Sequence, residues 1–254
     1  RQIHMNIINS SVFMKSEPTE TSPLETECLF GEKVEILDET LDWVYCKLNT
    51  DNYHGWVKKK NLGETRNPTH RVIAYRSFVY ADKNPKSNYL LYLPLGAQLV
   101  IDNIQSEWAE ISLYNNKTQV GYVPSKHIVS LDHKVKDWVA IAELSLGTPY
   151  KWGGRDTIGI DCSALLQLSY QTYGENIPRN TSQQVKLKKK NIKNINDLKR
   201  GCVIFWKGHV GIMIDRFNCI HANAFHMQTK IEPLNQIINR IGKDFNISKM
   251  MDFN

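Results

Sequence analysis

The chain has 254 residues, of which 41% are apolar, 23% charged and 10% aromatic, a balance that suits a soluble globular protein of one large or two to three small domains. Its formal charge of +6 is modest, and the basic runs "KKK" at 58–60 and "VKLKKKNIKN" at 185–194 come without interleaved aromatics, so no nucleic-acid partner is expected. No apolar run approaches a membrane span, and the five cysteines (28, 46, 162, 202, 219) form no CxxC pair, which fits a reducing compartment.

The N-terminus "RQIHMNIINSSVFM" lacks the apolar core of a signal peptide. His4-Met5 resembles a cloning junction, so Met5 is the expected native start and the cytoplasm the expected compartment. A periplasmic or secreted protein stripped of its export signal would read the same way. The first half then repeats itself: "FGEKVEILDETLDWVYCKLNTDNYHGWVKKKNL" at 30–62 lies over "LGAQLVIDNIQSEWAEISLYNNKTQVGYVPSKHI" at 95–128. Trp43 follows Gly31 by twelve residues, as Trp108 follows Gly96, and Gly55-Trp56-Val57 returns as Gly121-Tyr122-Val123 after one inserted residue. Apolar residues alternate within the copies (Val34, Ile36; Trp43, Tyr45), the period of half-buried strands. Two small β-barrels are predicted, over 5–64 and 67–131, with Trp43 and Trp108 in their cores. Their "G-W-V" ending resembles that of bacterial SH3-like domains.

After residue 131 the pattern changes. "KVKDWVAIAELSLG" at 134–147 predicts a helix with Val135, Trp138, Val139 and Ala142 on one face. "GTPYKWGGRDTIG" at 147–159 holds four glycines and a proline and reads as loop. Cys162, Leu166, Ser169, Tyr170 and Tyr173 then form one helical stripe, stopped by Gly174. Asp161 is the expected N-cap, which puts Cys162 in the first turn, where unpaired N–H groups and the helix dipole favour a thiolate. Such settings lower a cysteine pKa to roughly 3.5–7.5. A free cysteine is as readily a small buried apolar residue, so the decision rests on finding a base.

Two histidines qualify. In "HVGIMID" at 209–215 the alternation of Val210, Ile212 and Ile214 sends His209 to the other face of a strand. In "NCIHANA" at 218–224, Cys219, His221 and Asn223 share a face, and a hairpin at "DRFN" would set the two strands side by side. His209 could then take the thiol proton while His221 orients it, the logic of a nucleophile–base–orienter triad. "CIHANAFH" as a zinc cluster lacks a second ligand-spaced pair, and no metal or other cofactor is expected.

The series "LGTPYKWGG…GIDCSALLQ…IPRNTSQQ…RGCVIFWKGHVGIMID…CIHANAFHM" resembles the NlpC/p60 cysteine peptidases over almost all of 137–235. The implied fold is multidomain: two all-β SH3-like barrels, then an α+β papain-like domain over 132–254. With the paired barrels, the chain is similar to γ-D-glutamyl-L-diamino acid endopeptidases (dipeptidyl-peptidase VI). These cut peptidoglycan peptides with a free N-terminal L-Ala after L-Ala-γ-D-Glu, before diaminopimelate or lysine. The resemblance implies Cys162 as nucleophile, His209 as base and His221 as orienter. It implies substrate contacts for Tyr150, Trp152, Asp161 and Ser163, and for Asn180 and Thr181 in "PRNTSQQ", where Asn180 replaces a frequent Asp. From the first barrel it implies Tyr53 closing the pocket and Glu25 or Glu27 binding the substrate amine. Ala164 replaces a common glycine, and Cys202 an aspartate. The expected enzyme is a monomer that recycles released wall peptides. The alternatives are an exported hydrolase of intact wall, or a wall-binding protein with an inert third domain.

Overall fold

The computed structural model describes residues 2–113 and 119–254, which divide into two compact units, Arg1–His133 and Lys134–Asn254. In the first unit, the first repeat forms a seven-stranded antiparallel sheet. Its order is Leu24–Leu29, Ser11–Lys15, His54–Lys58, Trp43–Leu48, Lys33–Glu39, Ile3–Ile7 and Leu62–Gly63. Ile7, Met14, Val34, Val44, Cys46, Leu48 and Val57 fill its core. The second repeat splits into a five-stranded sheet (Tyr89–Pro94, Arg76–Tyr80, Val120–Pro124, Trp108–Ser112, Ile101–Gln105) and a three-stranded one (Gln98–Leu99, His70–Val72, Ile128–Ser130). Residues 114–118, within the second copy and its one-residue insertion, lie outside the described residues, as does Arg1.

The tryptophans of the repeat are not core residues, contrary to expectation. Along Trp43–Leu48 the inward set is Val44, Cys46 and Leu48, and beside Trp108 it is Ala109 and Ile111. Because the pleat alternates, Trp43 and Trp108 take the opposite face and are only half-buried. There Lys58 Nζ sits 5.7 Å from the Trp43 ring, and Tyr80 packs edge-on to Trp108 at 5.4 Å. What the two copies share inside is backbone. Gly31 (φ +79°) and Gly96 (φ +92°) both adopt the left-handed conformation that favours glycine. Phe30, next to Gly31, belongs to the core of the second barrel with Val72, Leu93 and Ile128. The Gln98 N–H donates to the Phe30 carbonyl at 2.8 Å.

The second unit is built on a six-stranded antiparallel sheet in the order Lys190–Asn191, Lys249–Asp252, Cys202–Trp206, His209–Met213, Asn218–Asn223, Gln228–Pro233. Helix α1 (Trp138–Glu143) packs on α2 (Cys162–Gln171), which crosses the His209–Met213 and Asn218–Asn223 strands. Helices α3 (Thr181–Gln184) and α4 (Leu234–Ile241) are short. Helix α1 is shorter than its pattern: the Asp137 carboxylate accepts from the Ala140 N–H at 3.3 Å, so the helix starts after Val135. Helix α2 differs in kind from the expected stripe, for every residue from Ser163 to Gln171 is buried. Its polar members are satisfied locally: Gln167 accepts from Arg155 Nε at 2.6 Å and donates to the Ile177 carbonyl at 3.1 Å. Among the described residues no helix is long and apolar enough to cross a membrane.

Candidate active site

Cys162 opens α2, and Asp161 caps it by accepting from the Ala164 N–H at 2.9 Å. The cap is itself held. Arg179 donates through Nη1 and Nη2 to the two Asp161 oxygens at 2.9 and 2.8 Å, and the Gly153 N–H donates to Oδ2 at 3.1 Å. Ser163 is buried and joins this network, accepting from Arg179 Nη1 at 2.8 Å. The carboxylate and hydroxyl beside Cys162 are thus engaged by the protein's own donors. Thr181 Oγ1 lies 4.0 Å from Cys162 Sγ, while Asn180, the residue before it, is exposed. Of the five cysteines four are fully buried, and Cys162 alone is partly exposed.

His209 and His221 lie on the predicted hairpin. Strands His209–Met213 and Asn218–Asn223 pair antiparallel through Ile212↔Ile220 and Met213↔Cys219, turning at 215–218, where Asp215 accepts from the Phe217 and Asn218 N–H groups. His209 Nε2 is 2.8 Å from His221 Nδ1, and His221 Nε2 is 2.6 Å from Glu232 Oε2. Gly211 makes room for this: a Cβ there would fall 2.4 Å from Cys219 Sγ and 3.5 Å from His221 Cβ. Helix α2, with Cys162 at its head, packs on the His209–Met213 strand, and the Val210 N–H next to His209 favours the thiolate.

Two segments match known family profiles: residues 147–240 match the NlpC/P60 family, and residues 15–62 the bacterial dipeptidyl-peptidase SH3 domain. Residues 147–240 thus form an NlpC/P60 domain. It is 26% identical over 237 residues to γ-D-glutamyl-L-lysine dipeptidyl-peptidase of Bacillus subtilis (strain 168), covering 85% of this chain and 77% of that one. It is 25% identical to dipeptidyl-peptidase 6 of Lysinibacillus sphaericus over 87% and 88% of the two chains. The crystal structure of an NlpC/P60 family protein from Bacillus cereus shares the fold, with a TM-score of 0.83 at 21% identity over 98% of this chain and 99% of that one. The fold is therefore an SH3-type all-β region followed by an NlpC/P60 peptidase domain.

Electrostatics in the NlpC/P60 site differ from the expectation of a ready thiolate. Burial and then the Asp161 charge push the Cys162 thiol up to about 11, against smaller opposing effects of the Val210 N–H, Thr181 and Arg179. Burial and then the charge on His221 push His209 down to about 3. Burial thus disfavours both charges, the thiolate on Cys162 and the imidazolium on His209. Tyr150 is half-buried, and burial followed by the Cys162 and Asp161 charges pushes its phenol up to about 12, which keeps it a hydrogen-bond donor. Trp152 stands 77% exposed in the glycine-rich loop. His209 borders a cavity of about 320 Å³ with Lys207, His221, Asn223, Arg240 and Asp244.

In the first unit, the Tyr53 hydroxyl donates to Glu25 Oε2 at 2.7 Å, and Glu27 is buried. Sequence reasoning missed Arg179, Glu232 and Arg240. Arg179 stood inside the quoted "PRNTSQQ" without a sign of its partner eighteen residues away. Glu232 had a usable signal: in the register His221↔Lys230 and Cys219↔Glu232 it shares the face of His221.

Proposed function

We propose that this peptidase hydrolyses the bond between γ-D-Glu and a diamino acid, lysine first among them, in wall-derived peptides with a free N-terminal L-Ala. The observation that carries this reading is the chain of side chains from Glu232 through His221 to His209, on the strand against which α2 packs with Cys162 at its head. The names of the Bacillus subtilis relative and of a Bacillus cereus one, both γ-D-glutamyl-L-lysine dipeptidyl-peptidases, supply the bond. Cys162 attacks the γ-glutamyl carbonyl as its proton passes to His209. The oxyanion develops near the first-turn N–H of Cys162, with the Tyr150 hydroxyl as a second donor. His209 returns the proton to the leaving amine, and water then releases the acyl-enzyme.

The cavity beside His209 offers Lys207 and Asp244, opposite charges that suit the carboxylate and ammonium of a diamino acid. Of the two glutamates that the family resemblance offers for the L-Ala amine, Glu25 is the more accessible. Its carboxylate is held by Tyr53 and half-buried, whereas Glu27 is only 2% exposed. Five free cysteines support work on released peptides in the cytoplasm. The test is incubation with L-Ala-γ-D-Glu-L-Lys and its N-acetylated form, followed by mass spectrometry, with Cys162→Ala as control. Cleavage of the free peptide alone, abolished by Cys162→Ala, is expected. Equal cleavage of both peptides would overturn amine recognition.

A further inference from the structure

Both carboxylate oxygens of Glu232 are engaged by side chains. Oε1 accepts from Arg240 Nη1 at 2.9 Å, with His226 Nε2 at 3.0 Å; Oε2 accepts from Arg240 Nη2 at 2.9 Å and faces His221 Nε2 at 2.6 Å. These partners come from every side: Arg240 from α4, His226 from the turn before the Gln228–Pro233 strand, and His221 from the neighbouring strand, with Lys230 on the same face of its own strand. Burial opposes ionisation of Glu232, but the hydrogen bonds from Arg240 and His221 and the nearby His226 ring outweigh it and hold the carboxyl well below the usual range. An ionised carboxylate only accepts, so His221 Nε2 must carry a proton. His221 is 1% exposed, and burial, against the pull of Glu232, keeps it below its ordinary pKa.

A neutral His221 protonated at Nε2 has a bare Nδ1, which can only accept. The 2.8 Å contact then requires the proton on His209 Nε2. That leaves His209 Nδ1 unprotonated, the form a general base needs. We infer that Glu232, clamped by Arg240 of α4, is a positioning residue that sets the tautomers of His221 and His209 and so selects the base-competent imidazole. The inference rests on the peptidase reading above for its catalytic consequence, but the tautomers themselves exist without substrate. When His209 takes the thiol proton it keeps Nε2–H donated to His221, and the proton on Nδ1 later leaves with the amine.

Substitution tests this, because Arg240 has donors only. In Glu232→Gln, Arg240 claims the amide oxygen and the NH₂ turns to His221 Nε2, which must become an acceptor. Both histidines then switch to Nδ1–H. A base in the wrong tautomer forfeits general-base catalysis, so kcat should fall by about 100-fold or more with KM changed less than about threefold. In the double variant Glu232→Gln/Arg240→Leu the amide is free to offer its oxygen to His221, and kcat should recover by roughly tenfold. A merely structural role predicts the double variant to be worse than the single one.

Long-range ¹H–¹⁵N spectra of histidine-labelled protein read the tautomers without any turnover. Nε2–H is expected at both residues in the wild type and Nδ1–H at both in Glu232→Gln. Nδ1–H at His221 in the wild type, unchanged kcat in Glu232→Gln, or no recovery in the double variant would overturn the proposal. Correct tautomers in a protein that leaves the tripeptide intact would sink the substrate assignment and support this one.

Discussion

Asp161 and Glu232 are each gripped by a guanidinium through two hydrogen bonds, one behind the thiol and one behind the histidines, yet the two forks differ in access to water. The side chain of Arg179 is 2% exposed and that of Arg240 is 23% exposed. The Arg179 fork fixes backbone: it anchors the cap of α2 and ties in the Gly153 N–H and the Gly154 carbonyl, so the position of Sγ depends on it. The Arg240 fork fixes no backbone; it holds a carboxylate against an imidazole. A buried ion pair must be complete or it is a liability, whereas one that opens to solvent can lose a partner and survive. The same chemical unit thus serves geometry on one side of the site and proton placement on the other.

The sharpest way to break this contrast is to remove each arginine. Arg179→Met leaves the Asp161 charge buried and should cost about 3–5 kcal/mol in urea unfolding. Arg240→Leu should cost about 1.5 kcal/mol, because Glu232 keeps its histidine partners and the arginine it loses is the more exposed one. Equal costs would show that exposure does not separate the forks. Next in size is Gly211→Ala, whose Cβ meets Cys219 Sγ, the atom a buried cysteine cannot move away. It should destabilise by about 1–3 kcal/mol and displace His221, read as lower Tm together with lost activity.

The smallest effect is the acid limb of stability. His209 and His221 have folded pKa values below the unfolded one, so they stabilise fully above about pH 6.5 and progressively less as pH falls through it. Glu232, also depressed, adds a second loss that begins below about pH 4.3. Tm should therefore decline in two stages on acidification, and Glu232→Gln should flatten the lower one. A single stage at pH 4 would contradict the assignment of neutral histidines.

Local periodicity made the barrels, the 209–223 hairpin and the cap at Asp161 legible in the sequence, because each depends on neighbours in the chain. The repeat also exposed its glycines, though it misdirected attention to Trp43 and Trp108: alternation shows which residues share a face, not which face is inside. Cys162 and His209 were visible as a thiol at a loop–helix junction and a histidine opposed to an apolar face. Arg179 and Arg240 were not, since a buried guanidinium and a surface one look alike until the carboxylate opposite is known. The thiol's raised pKa was hidden for a related reason. The helix terminus that favours a thiolate is the same one that supplies the Asp161 charge and the burial opposing it.

The placement of Phe30 bears on how such a chain can be cut. A segment starting at residue 67 keeps every strand of the second barrel but not this ring, whose place lies among Val72, Leu93 and Ile128. Nor could Gly31 be altered to uncouple the halves: its φ is +79°, and a methyl group there would overlap the Gln98 carbonyl. The duplication is no longer a pair of interchangeable modules, so gene shuffling that moves the second barrel must carry the first along with it.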